Sequence, residues 1–350
     1  MLLESLDLGV EAPTVQLLLG LLLGLTFGIA AQWSRFCLRR AIAGEPAERR
    51  SAAGVWAAGF AVGILALQLL TLGGLVDLGG HRWLSPDLPI IALVLGGIAF
   101  GVGMVLTRGC ISRLTVLSAA GNLRAAIVVT LFAIVAHATL KGVLAPLRTT
   151  LTAYTLPSPV ASLAELPGGP LVWALVLAAP ALVFALRSDV RISQLLLGGL
   201  IGLLAAFGWA ATSVLLLDDF DPQPVQSLAF TLPWSDGLFW TIASTSIQPG
   251  FGVGLIGGTL GGAFLSAAFR GELRLESFQS PAQTLRYASG ALLMGVGGVL
   301  AGGCSVGAGL SGTATLSVAA LVVLLSIVAG AKAAQLALGR SSAQGKPLPV

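Results

Sequence analysis

Three thiols, Cys37, Cys110 and Cys304, are the whole cysteine complement of the 350-residue chain, and two of them share a local pattern. Gly101-Val102-Gly103-Met104-Val105-Leu106-Thr107-Arg108-Gly109-Cys110 and Gly295-Val296-Gly297-Gly298-Val299-Leu300-Ala301-Gly302-Gly303-Cys304 are identical at seven of ten positions, at an offset of 194 residues. Polar residues follow each, Ser112 and Arg113 in the first copy, Ser305 and Ser311 in the second. Cys37 stands in Trp33-Ser34-Arg35-Phe36-Cys37-Leu38-Arg39-Arg40, again where an apolar run meets an arginine. An odd number of cysteines with no Cys-x-x-Cys pair argues against a structural disulfide or a zinc site. A single membrane cysteine commonly serves as a small apolar filler, but recurrence at matching places sets these apart. The chemistry open to such thiols is a weak S–H hydrogen bond to a soft, sulfur-rich molecule, or covalent relay of its sulfur.

The elements that carry them lie in a membrane. The chain is 56% hydrophobic and 10% charged, with 46 glycines, against roughly 25% charged in an average soluble domain. That excludes a soluble enzyme. Only helices and closed barrels satisfy their backbones in lipid, and the alternation of a barrel is absent, so the expected fold is an all-α polytopic membrane protein. At about 20 residues per crossing, apolar runs near 13–33, 52–76, 90–107, 125–145, 169–186, 193–217, 250–269, 287–303 and 314–338 predict nine spans. Loops are expected at 77–89, 146–168 and 218–249, with a frayed polar tail from Ser341. Six of the tryptophans, Trp33, Trp56, Trp173, Trp209, Trp234 and Trp240, fall mostly near span ends and read as an interfacial belt.

Charge placement predicts the orientation. Arg35, Arg39, Arg40, Arg49 and Arg50 crowd one loop, with Arg187 and Arg191, Arg270 and Arg274, and Arg286 marking others. These are topology signals rather than a nucleic-acid site, and the positive-inside rule makes their loops cytoplasmic. Acidic Glu4, Asp7 and Glu11 precede the first span, and Asp218, Asp219 and Asp221 cluster elsewhere. The N-terminus is then outside and the C-terminus, with Arg340 and Lys346, inside. The span before Cys110 runs inward and the one before Cys304 outward, so the halves 13–145 and 193–338 are expected to be inverted copies joined by a connecting span at 169–186. The whole of 1–350 would form one transporter domain, since inverted repeats mark secondary transporters with sites at the repeat interface. Many glycines at four-residue spacing serve helix packing. The low-propensity pairs before Cys110 and Cys304 instead suggest broken, re-entrant half-helices whose free N–H groups attract anions.

The Arg35-Phe36-Cys37 element, the Gly-x-Gly then Arg-Gly-Cys element at Cys110, and the Gly-Gly-Cys-Ser-x-Gly-x-Gly element at 302–309 resemble the YeeE/YedE family of bacterial inner-membrane proteins. The resemblance spans essentially the whole chain. It implies uptake of thiosulfate or a related sulfur anion, an hourglass-shaped path along cysteine thiols, a multi-pass inner-membrane location, and traffic with small cytosolic sulfur carriers resembling TusA. Carried over by position, Cys110 and Cys304 match the central thiols and Cys37 the Arg-Phe-Cys cysteine. A counterpart of Cys37 early in the second half is missing, and Ser244, Thr245 and Ser246 occupy that region. A selenium compound on the same scaffold, or covalent sulfur transfer, stays open as an alternative.

The expected substrate-contacting set is Cys37, Cys110, Cys304, Arg108, Arg113 and Ser305, with neutral thiols beside a dianion and both arginines at the mouths. No cofactor or metal is implied, because the sequence holds no nucleotide loop, metal-ligand cluster or catalytic triad. Inward movement of a dianion against an inside-negative potential costs about 2 × 2.3 kcal/mol per 100 mV. Acidic residues all fall in or near predicted loops, leaving His137 and Lys141, four residues apart in the fourth span, as candidates for coupling or as a polar pair facing the interior.

Overall fold

A computed structural model describes residues 12–215 and 224–343. The acidic clusters at Glu4, Asp7 and Glu11 and at Asp218, Asp219 and Asp221, and the tail with Lys346, lie outside the described residues. The helices are α1 (Ala12–Ser34), α2 (Leu38–Ala43), α3 (Pro46–Leu72), α4 (Ile90–Leu106), α5 (Ile111–Ala119), α6 (Leu123–Lys141) and α7 (Ala145–Thr152). After these come α8 (Gly169–Leu186), α9 (Ile192–Leu215), α10 (Thr231–Ala243), α11 (Phe251–Phe269), α12 (Pro281–Leu300), a π-helical turn at Gly307–Gly312, and α13 (Val318–Ala343). Two-residue strands β1 (Asp87–Leu88) and β2 (Leu156–Pro157) pair antiparallel in the connections. The fold is that of an all-α polytopic membrane protein.

Among the described residues, eight stretches are long and apolar enough to cross a membrane. The ninth expected span corresponds to α12, whose opening turns carry Gln283, Thr284 and Arg286 and dilute its hydropathy. The long helices are apolar around most of their circumference, as lipid solvation demands. On α8, Leu171, Leu175, Val176 and Val183 are exposed while Ala174, Ala178 and Ala185 pack inward.

Helices of the first half pair with helices of the second: α1 with α11, α3 with α9, α4 with α12 and α13, and α6 with α12. Glycine makes the closest seam. A Cβ on Gly20, Gly24 or Gly28 of α1 would lie 2.2–2.4 Å from a carbonyl oxygen of α11, and one on Gly254, Gly258 or Gly262 would lie 2.1–2.2 Å from a carbonyl of α1. Side-by-side stripes of small residues allow this backbone contact, and dispersion over the whole seam supplies the attraction that lipid cannot. At the α4–α12 crossing, Gly96 meets Gly297 and Gly103 meets Gly290. Shifting each residue by the 194-residue offset between the Gly-Cys segments exchanges these two contacts.

The expected loop at 218–249 contains α10. Its Pro, Ser, Asp and Gly read as turn chemistry, but Pro233 lies in the first turn, where N–H groups have no intrahelical acceptor and the ring costs nothing. The Trp belt is also partly overturned: Trp209 is buried and donates to the Ser311 carbonyl at 2.9 Å, and Trp234 donates to Thr115 Oγ1 at 2.8 Å.

Because the seam admits no side chain, Gly258→Leu is expected to destabilise the protein by about 2 kcal/mol or more. Gly257→Ala, which faces open space one residue away, leaves it unchanged. Thermal unfolding monitored by size-exclusion recovery in detergent compares the two.

Candidate functional site

Each cysteine follows a helix that stops in the same manner. Two residues before it the backbone turns left-handed, with φ 53° at Arg35, 57° at Arg108 and 70° at Gly302. Closure bonds of the Schellman type follow in the first two breaks, from Phe36 N–H to Ala31 O (3.3 Å) and from Gly109 N–H to Met104 O (3.0 Å). Cys37 and Cys110 then adopt extended backbone as the N-caps of α2 and α5. Left-handed arginine costs roughly 1–2 kcal/mol, which the surrounding packing must offset.

Carbonyls freed by these breaks are taken up by arginines from elsewhere in the chain. Arg113 Nη1 donates to Ala31 O (3.1 Å) and to Gln32 Oε1 (3.2 Å) at the end of α1. Arg286 Nε donates to Leu106 O (3.1 Å) at the end of α4, and Arg82 Nη2 to Gly302 O (2.7 Å) beyond α12. A cation also suits the negative end of a helix dipole.

Two cavities flank the breaks. One, of about 600 Å³, is lined by Cys37, Arg35, Arg39, Arg40, Arg108, Arg113 and Arg274, together with Glu45, Glu48 and Glu272. The other, of about 700 Å³, is lined by Asp77, His81, Arg82, Trp83, Trp209, Thr231, Asp236, Gly302, Gly303, Gly307 and Ser311, among others. The residues before α3 line the first and those beyond it line the second, so the cavities open at opposite ends of a 27-residue helix, about 40 Å long.

At the first cavity the structure brings two of the expected cysteines together. Cys37 Sγ lies 3.8 Å from Cys110 Sγ, and Cys110 Sγ lies 3.2 Å from Ser112 Oγ. Arg108 is exposed at this cavity, where a mouth residue was expected. Arg113 corrects that expectation: half-buried, it shares the wall with Cys37 and turns inward onto α1, where it adds a second donor to the Ala31 carbonyl and binds Gln32 Oε1.

Cys304 stands apart, fully buried beneath the second cavity, with the Gly307 N–H donating to its sulfur at 3.3 Å. The backbone of Phe230 and the side chain of Thr231 approach the same sulfur. Ser305 is buried and its hydroxyl has no partner, like that of Thr231. By the 194-residue offset Thr231 is the counterpart of Cys37, and its side chain approaches Cys304 as that of Cys37 approaches Cys110. Ser244, Thr245 and Ser246 are exposed at the far end of α10 and do not supply the missing counterpart. Phe230 packs its ring 5.0 Å from that of Phe27.

Sequence reasoning missed Arg82, His81, Trp209 and Asp236. Their signal was weak, since a Trp-Leu-Ser-Pro turn and a Pro-containing loop read as exterior connections. Arg82 lies 5.2 Å over the Trp83 ring, and among the described residues no carboxylate pairs with it. His81 Nδ1 accepts from the Trp83 N–H (3.2 Å) and its ring meets Trp209 edge-on at 4.8 Å. Burial, reinforced by Arg82, lowers its pKa from 6.5 to about 4. Asp236, thought to belong to a loop, sits on α10 beside the second cavity. His137 Nδ1 lies 3.0 Å from Ser235 Oγ, and Lys141 lies over the Phe239 ring at 5.8 Å, so both engage α10. Among the described residues, no group of three His, Cys, Asp or Glu side chains could hold a metal ion.

Native-state labelling with a small maleimide should modify Cys37 well before Cys304, since only Cys37 lines a cavity; mass spectrometry of timed samples reads the order. For His81, the folded pKa lies below the unfolded one. Between pH 6.5 and 4 the unfolded chain binds a proton that the folded chain refuses, so stability falls on acidification through that window. Replacement by glutamine should remove about 2 kcal/mol of the loss between pH 7 and 5, measured by thermal unfolding.

A family model described as "Sulphur transport" matches residues 33–333. The thiosulfate transporter TsuA of Spirochaeta thermophila is 27% identical over 328 residues, covering 89% of this chain and 96% of the relative. The thiosulfate transporter TsuA of Escherichia coli is 25% identical over 338 residues, covering 90% of this chain and 92% of the relative.

Proposed function

The chain belongs to the sulphur-transport family, and on that premise we propose that it carries thiosulfate, or a closely similar small sulfur anion, across the bacterial inner membrane into the cell. The observation that supports this most directly is the pair of cavities at opposite ends of α3, each reaching a broken helix that ends in a cysteine. Full-length likeness to two transporters of thiosulfate supplies the substrate class.

The two halves act as inverted copies, a reading supported by the exchange of the Gly96–Gly297 and Gly103–Gly290 contacts under the repeat offset. The arginine-lined cavity faces the cytoplasm and the Arg82 cavity the exterior, in line with the positive-inside rule; the N-terminus is then outside. Substrate enters the outer cavity, where Arg82 is its one cationic lining residue among those described and His81 is neutral. Its oxyanion end is held by charge-assisted donors while its terminal sulfur meets the Cys304 thiol, near the unpartnered hydroxyls of Thr231 and Ser305. Passage to Cys110 and Cys37 exchanges one soft donor for two, and Arg113 and then Arg108 receive the anion at the inner cavity. A thiol S–H holds a sulfur anion weakly, so no station becomes a trap. Consumption of the substrate in the cytosol offsets the electrical cost of entry, and a TusA-like sulfur carrier at the inner mouth is a suitable acceptor.

Expression in a host lacking its own sulfate and thiosulfate uptake should restore growth on thiosulfate as sole sulfur source, and no rescue by well-inserted protein would sink the proposal. Doubly labelled thiosulfate should arrive intact, which separates transport from covalent relay. In the same assay Arg82→Gln should raise the KM for uptake about tenfold, the worth of one lost charge-assisted hydrogen bond.

A further inference from the structure

Cys37 and Cys110 are 73 residues apart in sequence and their sulfurs are 3.8 Å apart in space. A disulfide bond is about 2.05 Å long, so the sulfurs need to approach by less than 2 Å. Each cysteine is the extended residue at a chain break rather than part of a continuous helix, and Cys37 lines a polar cavity of about 600 Å³. Cys110 lies directly behind it. The third thiol has no such neighbour, because Thr231, 194 residues beyond Cys37, stands against Cys304 where a second cysteine would complete a pair. One pair out of three thiols is therefore placed for oxidation, at the end of the molecule where the cavity wall is richest in arginine.

We propose that Cys37 and Cys110 form an oxidisable dithiol, a modification site at which hydrogen peroxide or a similar small peroxide converts the two thiols to a disulfide that blocks the inner end of the pathway. The Cys37 thiolate attacks the peroxide, breaking the O–O bond, forming a sulfenic acid and releasing hydroxide, which takes the thiol proton to become water. The Cys110 sulfur then attacks the sulfenic sulfur, forming S–S and releasing a second water. Two thiols give up two electrons and two protons, and one peroxide becomes two waters. Cys37 lines the cavity through which peroxide arrives, whereas Cys110 does not, so Cys37 takes the first step. The product ties the break after α1 to the break after α4 and removes both S–H donors from that end of the pathway. A disulfide facing a reducing cytosol is transient and reversible, as a sensing device requires.

Purified full-length protein, reduced and then exposed to hydrogen peroxide, is quenched, denatured and labelled with N-ethylmaleimide. The expected result is one label, on Cys304, in place of three, with a cross-linked peptide joining Cys37 to Cys110 that dithiothreitol releases. The same cross-link should form in Cys304→Ala. Three labels after oxidation, or Cys37 over-oxidised to sulfinic acid with Cys110 still free, would overturn the proposal. In proteoliposomes loaded with the reduced protein, oxidation should lower uptake at least tenfold and dithiothreitol restore it. A cross-linked protein that transports at the unmodified rate would disprove the blocking role while leaving the transport reading intact, and absence of uptake before oxidation would count against the transport reading alone.

Discussion

A helix that stops inside a membrane leaves carbonyl groups with no partner, and lipid offers none. Three of the interior helices stop in this way, and each end finds a guanidinium: Arg113 for α1, Arg286 for α4, Arg82 for the segment beyond α12. Everything else about the site follows from that requirement. Charged side chains can reach those depths only where water-filled space relieves their desolvation, so the three breaks open onto two cavities. The cysteine two residues beyond each left-handed turn is placed at the border between that wet space and the packed interior.

Holding the breaks in register is the work of the glycine seams. Neither α1 nor α11 has a polar stripe to direct its pairing, yet the carbonyl-to-glycine contacts fix both their distance and their rotation. The partner exchange between halves means that neither half has its full set of neighbours alone. Short α2, α5 and α10 pack onto this frame, and the Trp234–Thr115 bond ties α10 to α5.

The membrane class was legible because it rests on composition and apolar length, which act locally. The recurring Gly-Cys segments also pointed to two of the chain breaks. Nonlocal facts were not legible. Nothing in the sequence around Cys37 announces that its sulfur meets that of Cys110, and an odd cysteine count argued the other way. Arg113 was expected at a mouth because no local rule says that it would reach the Ala31 carbonyl and Gln32 across the fold. Helix α10 was hidden because Pro, Ser, Asp and Gly signal turns, while its burial against α6 and α11 outweighs that local preference. Asp236, His81 and Arg82 belong to connections whose sequences look solvated but fold back over the core.

Thr231, standing where the other half has Cys37, gives the scaffold a chemical difference between its ends that its packing does not have. Where Cys110 has a polarisable sulfur for company, Cys304 has the harder oxygen of a hydroxyl side chain. A soft solute moving along the axis therefore meets an uneven free-energy profile, with a shallower well on one side of the barrier than on the other. Such unevenness cannot choose the net direction of flow, which belongs to the concentrations and the membrane potential. It determines which end fills first as solute accumulates, and hence on which side of the membrane the protein becomes saturated.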